Sequence, residues 1–158
     1  MKRRTVKNQK FTLTNYKNEF ADVVKETDKK TLAVWVIDCV ERVMPYFEGK
    51  YPKDPRPRNA IDTLKTWINT GVFEMSVIRK ASLDSHAAAR EVGEDNSARS
   101  VARAAGQAVA TAHVSTHSIG GAIYSLQAIY RNTHSFDAVE KEKKWQYQHL
   151  ITLREKSF

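Results

Sequence analysis

Apolar residues recur at helical spacing along almost the whole chain. They line one side of a first segment, from about Asn15 to Lys25, and fill a second segment from about Lys30 to Phe47 almost completely. Such a run is compatible with a buried strand as well as a buried helix, but its polar positions form one stripe at helical spacing, which favours the helix. Asp28 is placed to cap this second helix.

Five more helices are predicted after a stiff loop from Tyr51 to Arg58, which holds three of the four prolines. Gly71 is expected to end the first of the five, and Ser135 to cap the last. The last helix carries charges around much of its circumference and is predicted to lie on the surface. The chain is therefore predicted to be all-α, a single compact bundle of six or seven mostly antiparallel helices. The five predicted helices run from about Pro57 to Asn69, Glu74 to Val92, Ser97 to His113, Ser115 or Thr116 to Arg131, and Phe136 to Glu155.

Small residues are concentrated in the middle of the chain, with eleven alanines between residues 81 and 112. Small side chains let helix axes approach closely. Gly106, Gly120 and Gly121 fall inside predicted helices, where each costs roughly 1 kcal/mol relative to alanine. We expect close backbone contact with a neighbouring helix to compensate for that cost.

Composition narrows the class of protein. A chain of 158 residues predicts one domain, and a single cysteine, Cys39, excludes an internal disulfide framework or a multi-cysteine zinc module. Cys39 lies in the apolar second helix beside Asp38, so it is predicted to be a buried, inert thiol. No stretch has the composition of a signal peptide or a membrane span, so a cytoplasmic location without membrane contact is expected.

The net charge of +8 is concentrated at the start of the chain. Five positive charges and no acid fall within the first ten residues, which leaves the rest nearly balanced. We therefore predict a basic flexible tail at 1–10 and a single helical domain at 11–158. The tail could touch nucleic acid, whereas no basic folded face is evident in the sequence of the rest.

Charged and imidazole side chains interrupt the apolar helix faces, and their spacing puts several on shared faces. Buried charges must pair with one another or line a cleft. These side chains are therefore expected to gather in one place, either as a structural network or as a functional site; Asp38 is a potential partner for Arg42 or Arg103. The candidate cluster comprises Asp38, Glu41, Arg42, Asp54, Arg56, Arg58, Arg79, His86, Arg90, Arg103, His113, His117 and Tyr124.

Enzymatic and metal chemistry have weaker support in the sequence. The nucleophile, phosphate-loop and dinucleotide motifs are absent, and no catalytic residue or cofactor is assigned. A metal site would use His86, His113 and His117, with Asp38 as a fourth ligand. No paired metal-binding motif accompanies these histidines.

Four segments carry a resemblance to a known family: Asp38–Glu48, Asp54–Asp62, Ser85–Arg90 and Ala102–His113, the last continuing to Ser125. Together they resemble the small all-helical immunity proteins of bacterial polymorphic toxin systems. The resemblance implies a cytoplasmic protein that binds and neutralises a protein toxin without catalysis. The alternative is a helical metal- or small-ligand-binding protein or enzyme that uses the Asp/Arg/His cluster.

The resemblance spans about Leu32 to Ile129, so the first thirty residues and the last helix fall outside it. Because immunity interfaces must differ between toxins, these outer segments are candidates for partner specificity. The oligomeric state and the identity of the toxin stay open at this stage.

Overall fold

The computed structural model describes residues 11–156, apart from the side chain of Asn15, and over this range every regular element is an α-helix. The all-α prediction is therefore confirmed. Eight helices are present in the described range, rather than six or seven: α1 Thr14–Lys25, α2 Lys29–Glu41, α3 Met44–Glu48, α4 Arg56–Thr70, α5 Met75–Glu91, α6 Ser97–Ala110, α7 His117–Thr133 and α8 Phe136–Lys156.

The additional helix arises at Pro45. The sequence predicted one helix from Lys30 to Phe47, but α2 ends at Glu41 and α3 begins at Met44. Proline has no backbone N–H to donate to the carbonyl four residues earlier, which here belongs to Glu41. Pro45 instead occupies the first turn of α3, where no intrahelical donor is required.

Helix ends follow local sequence signals. The Asp28 carboxylate accepts hydrogen bonds from the backbone N–H of Thr31 at 3.0 Å and from its hydroxyl at 2.7 Å. Gly71 ends α4 with a left-handed φ of 69°. The Ser135 hydroxyl accepts from the backbone N–H of Ala138 at 3.1 Å, at the start of α8. These three predicted end signals are confirmed. The prediction that Ser115 or Thr116 caps the next helix is wrong for the side chain, because Thr116 precedes α7 without a capping hydrogen bond.

Helix α6 lies at the centre of the packing and contacts α2, α3, α4, α5 and α7. Its alanines are buried, so neighbouring helices approach it closely. A Cβ on Gly106 would lie 2.7 Å from the His86 ring, and one on Gly120 would lie 2.8 Å from the Gln107 amide. A Cβ on Gly121 would overlap the Val36 side chain. The predicted close contacts are present, but they are made mainly with side chains rather than with backbone.

Helix α8 is more deeply embedded than its charge pattern predicted. Trp35 on α2 is fully buried and donates its indole N–H to the carbonyl of Gln146 at 2.8 Å. The Gln146 side chain, also fully buried, donates to the carbonyl of Ala122 on α7 at 3.0 Å. The surface-helix prediction is wrong for one side of α8, which buries Val139, Glu142, Gln146, Leu150 and Leu153.

Two further predictions concern the basic tail and contact with a membrane. The basic tail at 1–10 lies outside the described residues. Across the described residues, none of the helices combines the length and the apolar character that crossing a membrane requires.

Candidate functional site

The candidate polar residues do not converge on one centre. The structure separates them into an α2–α8 pair of contacts, an arginine network around the proline-rich loop, and a histidine region across α5, α6 and α7. Each group has its own partners, so the single cluster expected from the sequence is replaced by three sites with different chemistry.

The α2–α8 contacts use residues that sequence reasoning missed. Arg42 donates through Nε and Nη2 to the two carboxylate oxygens of Glu142, at 2.7 and 2.9 Å. Its guanidinium also stacks over the ring of Trp145, 3.8 Å from the centroid. Asp38 contacts neither Arg42 nor Arg103; its Oδ2 lies 2.7 Å from Nε2 of His149. The suggested pairing of Asp38 with an arginine is therefore wrong.

The sequence gives only a weak indication that Glu142 is a buried partner. Glu142 and Gln146 are separated by four residues and lie at helical spacing from Val139 and Leu150, which are apolar. That spacing places all four on one face. A carboxylate on an apolar face indicates a buried ion pair, although the spacing does not reveal which cation supplies it.

An arginine network holds the proline-rich loop against the bundle. Arg58 donates to Glu48 at 3.1 and 2.8 Å and to Glu41 at 2.6 Å. Lys65 adds a second cation to Glu41 at 3.2 Å. The hydrogen bonds from Arg58 lower the pKa of the Glu48 carboxyl.

Arg56 extends this network to the end of α5. It donates to both carboxylate oxygens of Asp54, at 2.9 and 2.8 Å, and to Glu91 at 2.6 Å. These bonds lower the pKa of Asp54 and of the exposed Glu91. Because the arginine charges are matched by carboxylates, this part of the candidate cluster has the character of a structural clamp.

His86 is the most strongly perturbed histidine of the described residues. Burial, reinforced by electrostatic interactions with Arg103, Arg90 and His117, lowers the pKa of His86 to about 4. Arg103 Nη1 lies 3.1 Å from Nδ1 of the His86 ring. An arginine can only donate, so Nδ1 is the acceptor and the ring proton resides on Nε2. His86 is therefore a neutral imidazole at pH 7.

The imidazole of His117 has the opposite tautomer. Its Nδ1 lies 2.8 Å from the amide oxygen of Gln107, which can only accept, so Nδ1 carries the proton. Burial, followed by the charge of His113, lowers the pKa of His117. His117, Gln107 and Tyr124 line a cleft of about 630 Å³ between α1 and α7, where Lys17 is also present.

The contact made by His113 differs from those made by His86 and His117. Its ring is exposed and stacks on Phe73, with centroids 6.0 Å apart. Over the range 11–156, no group of three or more histidine, cysteine or acidic side chains is arranged to hold a metal ion. The alternative of a metal site built from His86, His113 and His117 with Asp38 is therefore wrong for the described residues.

Cys39 is fully buried, as predicted. Burial, with Asp38 as a second cause, raises the pKa of its thiol well above the ordinary value. A protonated thiol in an apolar environment is a poor nucleophile.

Three arginines belong to the same region as His86. Arg79 and Arg90 are exposed and share one face of α5 with His86 by helical spacing, and Arg103 contacts the His86 ring from α6. None of the three makes an ion pair with a described residue, whereas Arg42, Arg56, Arg58, Arg99 and Arg131 all do. We refer to Arg79, Arg90, Arg103 and His86 as the arginine face.

The sequence model of the family described as "Imm-5 like putative immunity protein" matches residues 22–153. This match includes most of α8, so the last helix does not fall outside the resemblance as the sequence analysis expected. Neither the curated proteins nor the solved structures yield a match.

Proposed function

The chain belongs to the Imm-5 like immunity protein family, and on this premise we propose that it binds a protein toxin and neutralises it. The observation that carries the proposal is the family match, which extends over most of the chain. The activity proposed is stoichiometric binding by a folded helical protein.

The division of the polar residues supports a binding role. Arg42, Arg56 and Arg58 are engaged with carboxylates of the chain itself and hold helices and the proline-rich loop in place. These contacts stabilise the scaffold and leave other surfaces to face a partner. A structural role therefore accounts for Arg42, Arg56 and Arg58, which were also candidates for a functional site.

The surface also offers apolar side chains of the kind that protein interfaces bury. Val72 and Val77 line one surface depression, and Phe73 stacks on His113, the residue before Val114. Contiguous exposed apolar patches mark interaction sites. Their presence supports a partner of protein nature. The exposed large apolar residues are Val72, Phe73, Val77, Leu83, Val114 and Tyr147.

The proposal is tested by neutralisation. Each candidate toxin domain encoded by a gene that neighbours the gene for this chain is expressed in a sensitive cell, alone and together with the chain. We expect growth to be restored only by co-expression, and the purified pair to elute as one complex that buries on the order of 1,600 Å². A toxin of unrelated sequence serves as the specificity control. Undiminished killing in cells that contain the folded chain would contradict the proposal.

The cleft between α1 and α7 supports a second candidate, a small-molecule ligand. Its volume of about 630 Å³ falls within the range of ligand pockets. Neutral His117 offers Nε2 as an acceptor, and Lys17 offers a positive charge. A melting-temperature screen with small anionic and polar metabolites tests this candidate. A ligand that raises the melting temperature of the wild type but not of His117→Leu would support it, and a screen without any such compound would refute it.

A further inference from the structure

The arginine face is a positive surface whose three arginines make no ion pair with any carboxylate in the described part of the chain. From residue 96 to residue 136 the sequence contains no aspartate or glutamate, so α6 and α7 carry no carboxylate at all. Helix α5 carries Asp84 and Glu91, which pair with Lys80 and Arg56. The charges of Arg79, Arg90 and Arg103 are therefore left for solvent or for a partner.

Contacts beneath the arginine face hold the side chains of His86 and Arg103 in a fixed arrangement. The His86 ring packs against Gly106, where a Cβ would lie within 3.0 Å of three ring atoms. Nδ1 of the ring accepts from Arg103 at 3.1 Å, which orients one guanidinium edge and leaves the other donors free. Ser82, one turn before His86, donates to the Gly106 carbonyl at 2.9 Å and fastens α5 to α6. An oriented guanidinium loses less entropy when it binds a carboxylate.

An exposed apolar side chain lies within the positive surface. Leu83 is 58% exposed and lies on α5 between Arg79 and Arg90, one turn from each of Arg79 and His86. At 1.5 Å per residue, Arg79 and Arg90 are about 16 Å apart along the helix axis. Arginine is one of the residue types enriched at interface hot spots, and Leu83 adds exposed apolar area between two of these arginines.

We infer that the arginine face, with Leu83 at its centre, is where the toxin docks, and that the toxin presents carboxylates around an apolar pocket at this contact. This inference rests on the proposed function and adds to it the position of the interface and the charge of the partner. Arginine forks bind carboxylates with two parallel hydrogen bonds, which gives the contact a defined orientation. Complementary charge also accelerates association.

The test compares two charge reversals of equal size. The first variant, Arg79→Glu/Arg90→Glu, alters the arginine face at two exposed side chains. The second, Lys141→Glu/Lys144→Glu, alters two exposed lysines of α8, a helix that packs mainly on α2 and α7. Both variants change the net charge by the same amount, so a difference between them reports position rather than total charge. Circular dichroism confirms that each variant is folded.

Two measurements are made on each variant. The first is the affinity for the toxin domain that wild type neutralises, measured by isothermal titration alongside neutralisation in cells. The second is isothermal titration with a short synthetic peptide rich in glutamate with interspersed leucines. We expect the first variant to bind the toxin and the peptide at least about 30-fold more weakly than wild type, and the second less than about 3-fold more weakly. We expect Leu83→Ala to weaken toxin binding about 10-fold.

The outcomes separate this inference from the proposed function. If wild type neutralises the toxin and Arg79→Glu/Arg90→Glu does so equally well, the docking position is wrong while the proposed function stands. If wild type fails to neutralise, the proposed function is wrong and this inference falls with it. Tighter binding of the same face to a short DNA duplex than to the peptide would overturn the assignment of a protein partner.

Discussion

Arg103 donates a hydrogen bond to Nδ1 of His86 across 3.1 Å, and burial of the ring, reinforced by the charge of Arg103, lowers the pKa of His86 and keeps the imidazole neutral. The two residues come from different helices, and they meet because Gly106 lets the His86 ring lie directly against α6. Protonation of the ring would place a second positive charge against the guanidinium. The packing of α5 on α6 at this point therefore depends on the His86 ring staying uncharged.

The first prediction concerns stability as a function of pH. The pKa of His86 falls from 6.5 to about 4 on folding, so the unfolded chain binds the proton more readily. The contribution of His86 is fully present above pH 6.5 and is lost as the pH falls towards 4. We expect this loss to reach about 3 kcal/mol in the free energy of unfolding, measured by urea denaturation across that window.

The control separates His86 from the other groups that titrate in acid. Carboxyls with lowered pKa, such as Glu48 and Asp54, also lose stabilisation on acidification, in wild type and variants alike. His86→Gln retains an acceptor for Arg103 and should flatten the pH dependence between pH 6.5 and 4. Equal slopes for wild type and His86→Gln would contradict the prediction.

Local sequence signals were sufficient for the helices and most of their ends. The Asp28 cap, the left-handed Gly71 and the Ser135 cap each act within one turn of the residue concerned, so they are legible without tertiary information. Pro45 shows the limit of periodicity, because the apolar pattern continues through it. Helix α2 nevertheless ends at Glu41, four residues before Pro45, because Pro45 has no backbone N–H to donate to the Glu41 carbonyl.

The pairing of polar residues was predictable only in part. His86 and Arg103 lie on successive helices that pack closely, and the sequence analysis placed both in the candidate cluster. Arg42 pairs instead with Glu142, a hundred residues away, because the buried carboxylate on α8 needs a cation and α8 packs on α2. Such a contact depends on the rotation of one helix against another, which spacing within a helix does not encode.

The second prediction concerns the three helical glycines. Gly121→Ala should cost about 3 kcal/mol, because its Cβ would overlap Val36, which is fully buried and has no room to move. Gly106→Ala should cost about 1–2 kcal/mol, since the His86 ring must shift away from Arg103. Gly120→Ala meets the flexible end of Gln107, and the gain in helix propensity should hold the change within about 1 kcal/mol.

Chemical denaturation at pH 7 measures this order. The Gly106→Ala/His86→Ala double variant provides a further check, since removal of the ring should relieve most of the clash at position 106. If Gly121→Ala proved as stable as wild type, the close approach of α7 to α2 at Val36 would be wrong.

The third prediction concerns the ion pair between Arg42 and Glu142. Glu142 is largely buried, whereas the Arg42 side chain is 43% exposed and stacks on Trp145. Glu142→Gln and Arg42→Met should each lower the free energy of unfolding by about 1–2 kcal/mol, and a double-mutant cycle should give a coupling of about 1 kcal/mol. Arg42→Lys should recover only part of the lost stability, because lysine cannot donate two parallel hydrogen bonds to the Glu142 carboxylate. Additive effects in the cycle would show that the two groups do not interact.

The fourth prediction compares two buried threonines that receive the same substitution. The Thr111 hydroxyl is buried without a hydrogen-bond partner among the described residues, whereas the Thr31 hydroxyl donates to Asp28 at 2.7 Å. Replacing the unpartnered hydroxyl with a methyl group removes a desolvation cost, so Thr111→Val should raise the free energy of unfolding by about 1 kcal/mol. Thr31→Val removes a made hydrogen bond and should lower it by about 1 kcal/mol. Thermal and urea denaturation of the two variants measure the difference, and a loss at Thr111 equal to that at Thr31 would show that its hydroxyl is satisfied in solution.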